Sequence, residues 1–170
     1  RQSRGPPSSG AGRRGRRTIG RGGRGTFGWA RRAGPGEWAV SGAFVFGGGD
    51  PAALEGKART AFRSGFLGVA SLGWSTLVQV VEAGDGARLA AIDTLAKQLV
   101  AHFGAPSIED AVAAAQEEFE FAASLCNHPL DTLIAMHRSQ DGGEIREAVR
   151  PGRSKDGPRL GILAAFATRS

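Results

Sequence analysis

The middle of the chain contains the run Ser75-Thr76-Leu77-Val78-Gln79-Val80-Val81-Glu82, which places apolar side chains on both faces of an extended strand. Strands of this kind are typical of positions inside a sheet, where another layer covers each face. Gly84-Asp85-Gly86 follows at once and ends the pattern. The run therefore predicts a central strand, and the flanking segments must supply its neighbours and its cover.

Two long helices are predicted after this strand. The first carries an apolar stripe that Gly104 ends, and Asp93 and Lys97 form an i,i+4 pair on its exposed side. The second begins at Ser107, with Asp110 at the capping-box position, and runs as far as Cys126. Their apolar positions are Leu89, Ile92, Leu95, Ala96, Leu99, Val100 and Phe103 in the first helix, and Ile108, Val112, Ala115, Phe119 and Ala122 in the second.

A β-hairpin is predicted further along the chain. Its candidate strands are residues 132–138 and 144–149, and Gln140-Asp141-Gly142-Gly143 lies between them. A glycine-containing turn between two alternating segments is a strong signal for a hairpin, because glycine adopts the left-handed backbone angles that such turns need.

A strand and a short helix are predicted at the start of the globular part. Trp38, Val40, Phe44 and Phe46 fall on one face of a strand over residues 37–46. Asp50-Pro51 then has the form of an N-cap followed by proline at the first helical position, so a helix is expected from there to Gly65.

The element order is thus β-α-β-α-α-β-β, which predicts a single α+β domain over residues 37–150. The helices are expected on one face of a mixed or antiparallel sheet. Residues 151–170 form a C-terminal tail rich in Pro, Gly, Arg and Lys. Its apolar stretch, residues 160–166, is either one further short strand or a frayed end, and the sequence leaves both open.

Charge is unevenly distributed along the chain. Residues 1–36 contain ten Arg and no Asp or Glu, whereas the other 134 residues carry 12 Lys+Arg against 16 Asp+Glu and sum to −4. This Arg/Gly-rich segment has too few apolar residues to offset the entropy of ordering, so we expect a disordered tail. Its arginines, with Phe27 and Trp29 nearby, predict weak or RNA-directed polyanion binding. The arginines concerned are Arg13, Arg14, Arg16, Arg17, Arg21 and Arg24.

Composition also limits the compartment. Cys126 is the only cysteine, so no internal disulfide can form and the fold does not depend on an oxidising environment. No run of about 18 apolar residues occurs, as a membrane span would require, and no apolar signal region stands at the N-terminus. We expect a soluble cytoplasmic protein with no membrane partner. An organellar transit peptide is a weaker interpretation of the Arg-rich segment.

The glycine-rich segments do not match catalytic motifs. Gly47-Gly48-Gly49 precedes a helix N-terminus where a phosphate could bind, but Asp50 would occupy the same backbone donors. In residues 66–75, Ser71 and Ser75 each lack one glycine of the G-x-S-x-G pattern. A structural bend is the favoured interpretation of this loop. The alternative is a ligand site lined by Trp74 and Ser75, because small residues and an aromatic ring allow close contact.

Three potential ligands cluster near the hairpin: Cys126, His128 and His137. A zinc site normally needs four ligands in paired short spacings, so no metal site is predicted. Cys126 fits a small buried hydrophobe. His137 shares a strand face with Leu133 and Ala135 and is either a core or a pocket residue. No catalytic residue and no cofactor are predicted, because no pair of carboxylates is placed for acid–base chemistry.

The globular part resembles a small proteobacterial domain family of unknown function. The resemblance covers residues 36–150 and rests on residues 36–46, 62–68, 73–75, 121–126 and His128-Pro129. It implies an α+β fold in a bacterial cytoplasm and no assigned activity. Neither tail matches that family, so residues 1–35 and 151–170 are either divergent or not native coding sequence, since GC-rich codons read out of frame give the same composition.

Three functions follow as hypotheses. The first is a non-enzymatic accessory or protein-interaction module. The second is a small-molecule-binding or enzymatic domain that uses residues 66–75 with His137. The third is RNA binding through the N-terminal tail, which predicts steep salt dependence.

Overall fold

The computed structural model describes residues 28–29, 31–34, 36–152 and, for the backbone alone, 163–167. These residues form three α-helices and two small sheets, so the α+β class predicted from the sequence is confirmed. The elements are β1 (Ala39–Val40), α1 (Gly56–Ser64), β2 (Phe66–Gly68), β3 (Trp74–Ser75), β4 (Leu77–Glu82), α2 (Asp85–His102), α3 (Ile108–Leu125), β5 (Leu133–Asp141), β6 (Glu144–Pro151) and β7 (Leu163–Ala167), with 3₁₀ turns at Ala43–Phe46 and Pro51–Ala53.

The larger sheet has four strands in the order β6-β5-β4-β7. Strand β4 runs antiparallel to β5 and parallel to β7, so the sheet is mixed and β4 lies inside it, as its two apolar faces predict. Val78 and Val80 of β4 and Ile134 of β5 are fully buried on the inner face of this sheet. Burial of these branched side chains stabilises the sheet.

Two segments outside residues 37–150 join the sheets. Strand β7 runs parallel to β4 and pairs with it over Val78 to Glu82. Near the other end, Arg32 forms an isolated parallel bridge with Trp74, and Ala33 is buried. The folded part therefore includes residues on both sides of the predicted domain.

The smaller sheet, β1-β2-β3, is antiparallel and lies between two hydrophobic clusters. Val40 and Leu67 are paired in register and lie in the cluster that contains the buried residues of α2 and α3. Ala39 and Phe66 lie in the second cluster, together with the inner face of the four-stranded sheet. Because neighbouring side chains of a strand point to opposite faces, this small sheet is covered on both sides.

The hairpin and the two long helices form as predicted. Gly142 and Gly143, at φ 57° and 84°, make a two-residue turn between β5 and β6. The Ser107 hydroxyl accepts a hydrogen bond from the Asp110 backbone N–H at 3.1 Å and so caps α3. Helix α2 packs against α3. No helix in the described part of the chain is long and apolar enough to cross a membrane.

The predicted strand over residues 37–46 is wrong beyond Val40. Gly42 has φ +75°, which turns the chain out of the extended conformation, and Ala43–Phe46 form a 3₁₀ turn. A Cβ atom at Gly42 would lie 2.6 Å from the Leu67 Cβ atom, so the tight approach to β2 also requires glycine.

Two further predictions near this region need correction. The Asp50 side chain accepts from the Ala52 N–H and caps the 3₁₀ turn Pro51–Ala53, while α1 itself begins at Gly56. Residues 66–75, expected as a bend or loop, contain strands β2 and β3. Strands of two or three residues are too short to show the alternation of apolar and polar residues by which a strand is predicted from sequence.

Candidate functional site

Helix α1 and strand β5 lie side by side because the four-stranded sheet is incompletely paired. Strand β4 pairs with β5 only from Leu133 to Ala135. Beyond Ala135, β5 continues to Asp141 with β6 along one edge, and α1 packs against it. This arrangement brings side chains of a helix and of a strand to one surface.

Arg138 of β5 holds this junction together from the inside. Its side chain is buried, and its Nε atom donates to Glu147 Oε1 at 2.8 Å. Nη1 donates to the Phe62 carbonyl oxygen at 2.6 Å, and Nη2 donates to the Ser41 carbonyl oxygen at 2.7 Å. The guanidinium thus joins the end of α1, the segment after β1, and the hairpin.

The buried ion pair is supported by further contacts. The Ser41 hydroxyl donates to the same oxygen of Glu147, and the Arg138 Cζ atom lies 5.6 Å from the centre of the Phe46 ring. Burial lowers the pKa of Arg138, while the charge and hydrogen bond of Glu147 act to raise it. Arginine nevertheless keeps its proton at neutral pH, because a guanidinium group is not deprotonated in proteins.

Outside this buried pair, a shallow depression of about 350 Å³ opens to solvent. Arg63 follows Phe62, whose carbonyl Arg138 binds, and His137 precedes Arg138 in β5. The buried pair therefore holds in place the backbone that carries Arg63 and His137. The lining residues are Arg59, Thr60, Arg63, Ser64 and His137.

The two arginines of α1 are not neutralised by acidic neighbours. Arg59 and Arg63 are exposed and one helical turn apart, and in the described part of the chain neither forms an ion pair with a carboxylate. By contrast, Lys97 pairs with Asp93 at 2.7 Å at the same i,i+4 spacing. Like charges at that spacing destabilise a helix by about 0.2–0.5 kcal/mol. The pair thus leaves a positive potential at the depression.

Strand β6 adds two arginines and Glu144 to the face of the hairpin that carries His137. His137 faces Ala148 directly across the hairpin, and Arg146 and Arg150 are the diagonal neighbours on the same face. Arg146 pairs with Asp141 at 3.1 Å, in an exposed ion pair. We call the surface made by Arg59, Arg63, His137, Arg146 and Arg150 the basic face.

Of the predicted ligand-site residues, only His137 lines this depression. The sequence left open whether His137 is a core residue or a pocket residue. In the structure its side chain is exposed and lines the depression. Trp74 is buried in an aromatic cluster, with ring centroids 5.4 Å from Phe46 and 6.0 Å from Trp29. Gly65 makes room for that ring, because a Cβ atom there would lie 2.6 Å from Trp74 Cε3.

Ser75 is also placed apart from the depression. Its hydroxyl donates to the Leu77 carbonyl oxygen at 2.7 Å and stabilises the turn between β3 and β4. The described lining residues include neither Ser75 nor Trp74. The structure therefore does not bring the predicted trio of Trp74, Ser75 and His137 to this common cavity.

The other candidate groups have structural surroundings. Cys126 is buried, its thiol donates to the Ala122 carbonyl oxygen at 3.2 Å, and burial raises the pKa of the thiol to about 11. Among the described residues no group of three or more His, Cys, Asp or Glu side chains is placed to hold a metal ion. The tail arginines predicted for RNA lie outside the described residues: Arg13, Arg14, Arg16, Arg17, Arg21 and Arg24.

The basic face could be found only in part from sequence. The sequence pattern places His137 on a strand face as a core or pocket residue, but it does not single out Arg59, Arg63 or Arg138 as site residues. The i,i+4 spacing of Arg59 and Arg63 was an available signal, although Glu55 stands four residues before Arg59 and only the structure shows that it forms no ion pair there. Arg138 falls in register with the inward positions Ile134 and Met136, which was the available signal for a buried arginine.

A family model for a family of unknown function, DUF6505, matches residues 22–168. The chain belongs to this family. The match to DUF6505 runs beyond both ends of the resemblance noted over residues 36–150, so most of the C-terminal segment and residues 22–35 share the family pattern. No curated protein and no solved structure matches the chain.

Proposed function

We propose that this DUF6505 domain is a non-enzymatic interaction module that binds an acidic segment of a protein partner on its basic face. The observation that carries the proposal is the pair Arg59 and Arg63, which line a depression with His137 and have no carboxylate partner in the described part of the chain. Charged groups that stabilise nothing within the chain are available for a ligand.

The charge of the remaining chain supports this assignment. Residues 37–170 sum to −4, so a face rich in arginine is opposite in sign to its own surroundings. Such a contrast orients an acidic partner during approach and raises the association rate. It also makes binding dependent on ionic strength, since exposed charges are screened beyond about 8 Å at physiological salt.

A protein segment fits this face better than single-stranded nucleic acid. Sequence-tolerant binding of single strands uses exposed aromatic rings on which bases stack. The described lining of the depression contains no aromatic ring of this kind, and Phe62 of α1 is buried in a cluster with Phe46 and Trp74. The depression instead offers two guanidinium groups, two hydroxyls and one imidazole, which suit carboxylates and other oxyanions.

RNA binding through the N-terminal tail is a separate proposal. It rests on the ten arginines of residues 1–36 and does not depend on the basic face. We also propose that the protein resides in a bacterial cytoplasm. The single buried cysteine and the family resemblance support this proposal.

The test is a pull-down from native extract after nuclease treatment, with the full chain as bait. The variant Arg59→Ala with Arg63→Ala is compared with a charge-matched control on α2, Arg88→Ala with Lys97→Ala. A defined protein that is kept by wild type and control but lost by the Arg59/Arg63 variant supports the proposal. Equal retention by all three baits contradicts it, and retention that nuclease abolishes in every bait favours the RNA-binding tail.

A further inference from the structure

The donors in the depression outnumber what a carboxylate can use. A carboxylate is planar and offers about four lone-pair sites on its two oxygens, all in that one plane. Here two forks, from Arg59 and Arg63, stand with the hydroxyls of Thr60 and Ser64 and the His137 ring. A phosphate monoester presents three terminal oxygens and up to two negative charges, so it can accept from several of these groups at once.

We propose that this depression is a phosphate subsite that binds a phosphate monoester. The source of the phosphate is a phosphorylated side chain of a partner protein. This inference rests on the proposed function, which supplies that partner. All five lining residues can donate a hydrogen bond, and none is acidic. The Thr60 hydroxyl donates only a long bond, 3.3 Å to the Gly56 carbonyl oxygen, and can turn toward an anion.

The site is held in place before any ligand arrives. Ala61 and Phe62, which lie between Thr60 and Arg63, both present their carbonyl oxygens to the buried guanidinium of Arg138, at 3.3 and 2.6 Å. His137 is the neighbour of Arg138 in β5. The same buried group therefore fixes the helix side and the strand side of the depression, and such preorganisation lowers the entropy lost on binding.

Calorimetric titration of the full chain tests the subsite with defined probes. The probes are an acetylated and amidated phosphoserine, its glutamate counterpart, and glycerol 3-phosphate. We expect the phosphoserine probe to bind at least about tenfold more tightly than the glutamate probe. Arg59→Gln and Arg63→Gln should each weaken phosphoserine binding by about tenfold, while Lys97→Gln leaves it unchanged. Thermal unfolding of each variant establishes that it is folded.

Each outcome separates this inference from the proposed function. Equal affinity for phosphoserine and glutamate, or affinity insensitive to Arg59→Gln, overturns the phosphate subsite. If the phosphate subsite is overturned but the Arg59/Arg63 variant still loses a protein partner in the pull-down, the proposed interaction module is supported without a phosphate subsite. Glycerol 3-phosphate binding more tightly than phosphoserine supports the phosphate subsite but contradicts the protein partner, because it identifies a small molecule as the source.

Discussion

Arg138 and Glu147 form an ion pair whose Nε and Oε1 atoms are 2.8 Å apart, and their side chains are only 0% and 5% exposed. The pair crosses the hairpin, because Arg138 stands opposite Glu147 in the register of β5 and β6. One face of this hairpin therefore carries a closed, internally satisfied pair, while the other carries His137 and the open basic face. The two-residue period of the strand thus places the buried ion pair on one face and His137, which is proposed for binding, on the other.

Removing the negative partner should unfold the junction. Glu147→Gln removes the carboxylate that is ion-paired and hydrogen-bonded to the buried Arg138, and we expect a loss of about 3–5 kcal/mol in the free energy of unfolding. The matched control is Asp141→Asn, which breaks the exposed pair with Arg146 and should cost less than about 1 kcal/mol. Urea denaturation of both variants is the measurement. Similar losses in the two would contradict a special role for the buried pair.

Gly42 should not tolerate a side chain. Gly42→Ala places a Cβ atom 2.6 Å from the Leu67 Cβ atom and forces φ +75° on a residue that disfavours it. The two effects together predict a loss of about 2–4 kcal/mol in stability. Gly48→Ala is the control, since nothing lies within 4 Å of its Cβ position, and should change stability by less than about 0.5 kcal/mol. A tolerated Gly42→Ala would argue against the turn that ends β1.

The Cys126 thiol should be unreactive in the folded chain. Its pKa is raised to about 11 from 9.0, so at pH 8 the thiolate fraction is about a hundredfold lower than for a free thiol. Iodoacetamide labelling followed by mass spectrometry should be correspondingly slow in buffer and fast in urea. Rapid labelling of the native chain would show that the thiol is not buried as described.

The same shift predicts a pH dependence of stability. Because the folded pKa lies above the unfolded one, the unfolded chain releases its proton first as pH rises. Stability should therefore be full below about pH 9 and fall by about 2–3 kcal/mol as pH approaches 11. Cys126→Ala should remove this component, and the difference between the two pH profiles isolates it from lysine titration. Parallel profiles would contradict the prediction.

Stability and binding should change independently at Arg59. Arg59→Gln relieves a like-charge i,i+4 contact with Arg63, so the free energy of unfolding should stay equal or rise by about 0.2–0.5 kcal/mol. The same change is expected to weaken anion binding. A loss of more than about 1 kcal/mol would instead assign Arg59 a structural role that the exposed position does not suggest.

Much of the fold could be predicted because its strongest signals are local. The Ser107 cap, the Asp93–Lys97 pair and the Gly142-Gly143 turn each act within four residues, and each is present in the structure. The strand over residues 37–46 failed because its alternating apolar residues satisfied a period of two, while one glycine, Gly42, reversed the backbone between them.

The site could not be predicted to the same degree because it depends on distant pairing. Nothing local to β5 reveals that β4 pairs with only three of its residues and leaves room for α1. Arg138 contacts carbonyls 73 to 97 residues away, so its burial is a property of the assembled fold. Alternation along β5 predicts on which face of the strand His137 lies, but it does not predict whether that face is buried.

A backbone amide NMR titration of the full, isotopically labelled chain tests the central claim most directly. The probe is the acidic pentapeptide Glu-Glu-Ser-Glu-Glu, with and without phosphate on its serine. Binding at the depression predicts shifts centred on the five residues that line it, larger with the phosphorylated peptide and lost at high salt. Shifts centred elsewhere in the described chain, or none at all with either peptide, would contradict it. The expected residues are Arg59, Thr60, Arg63, Ser64 and His137.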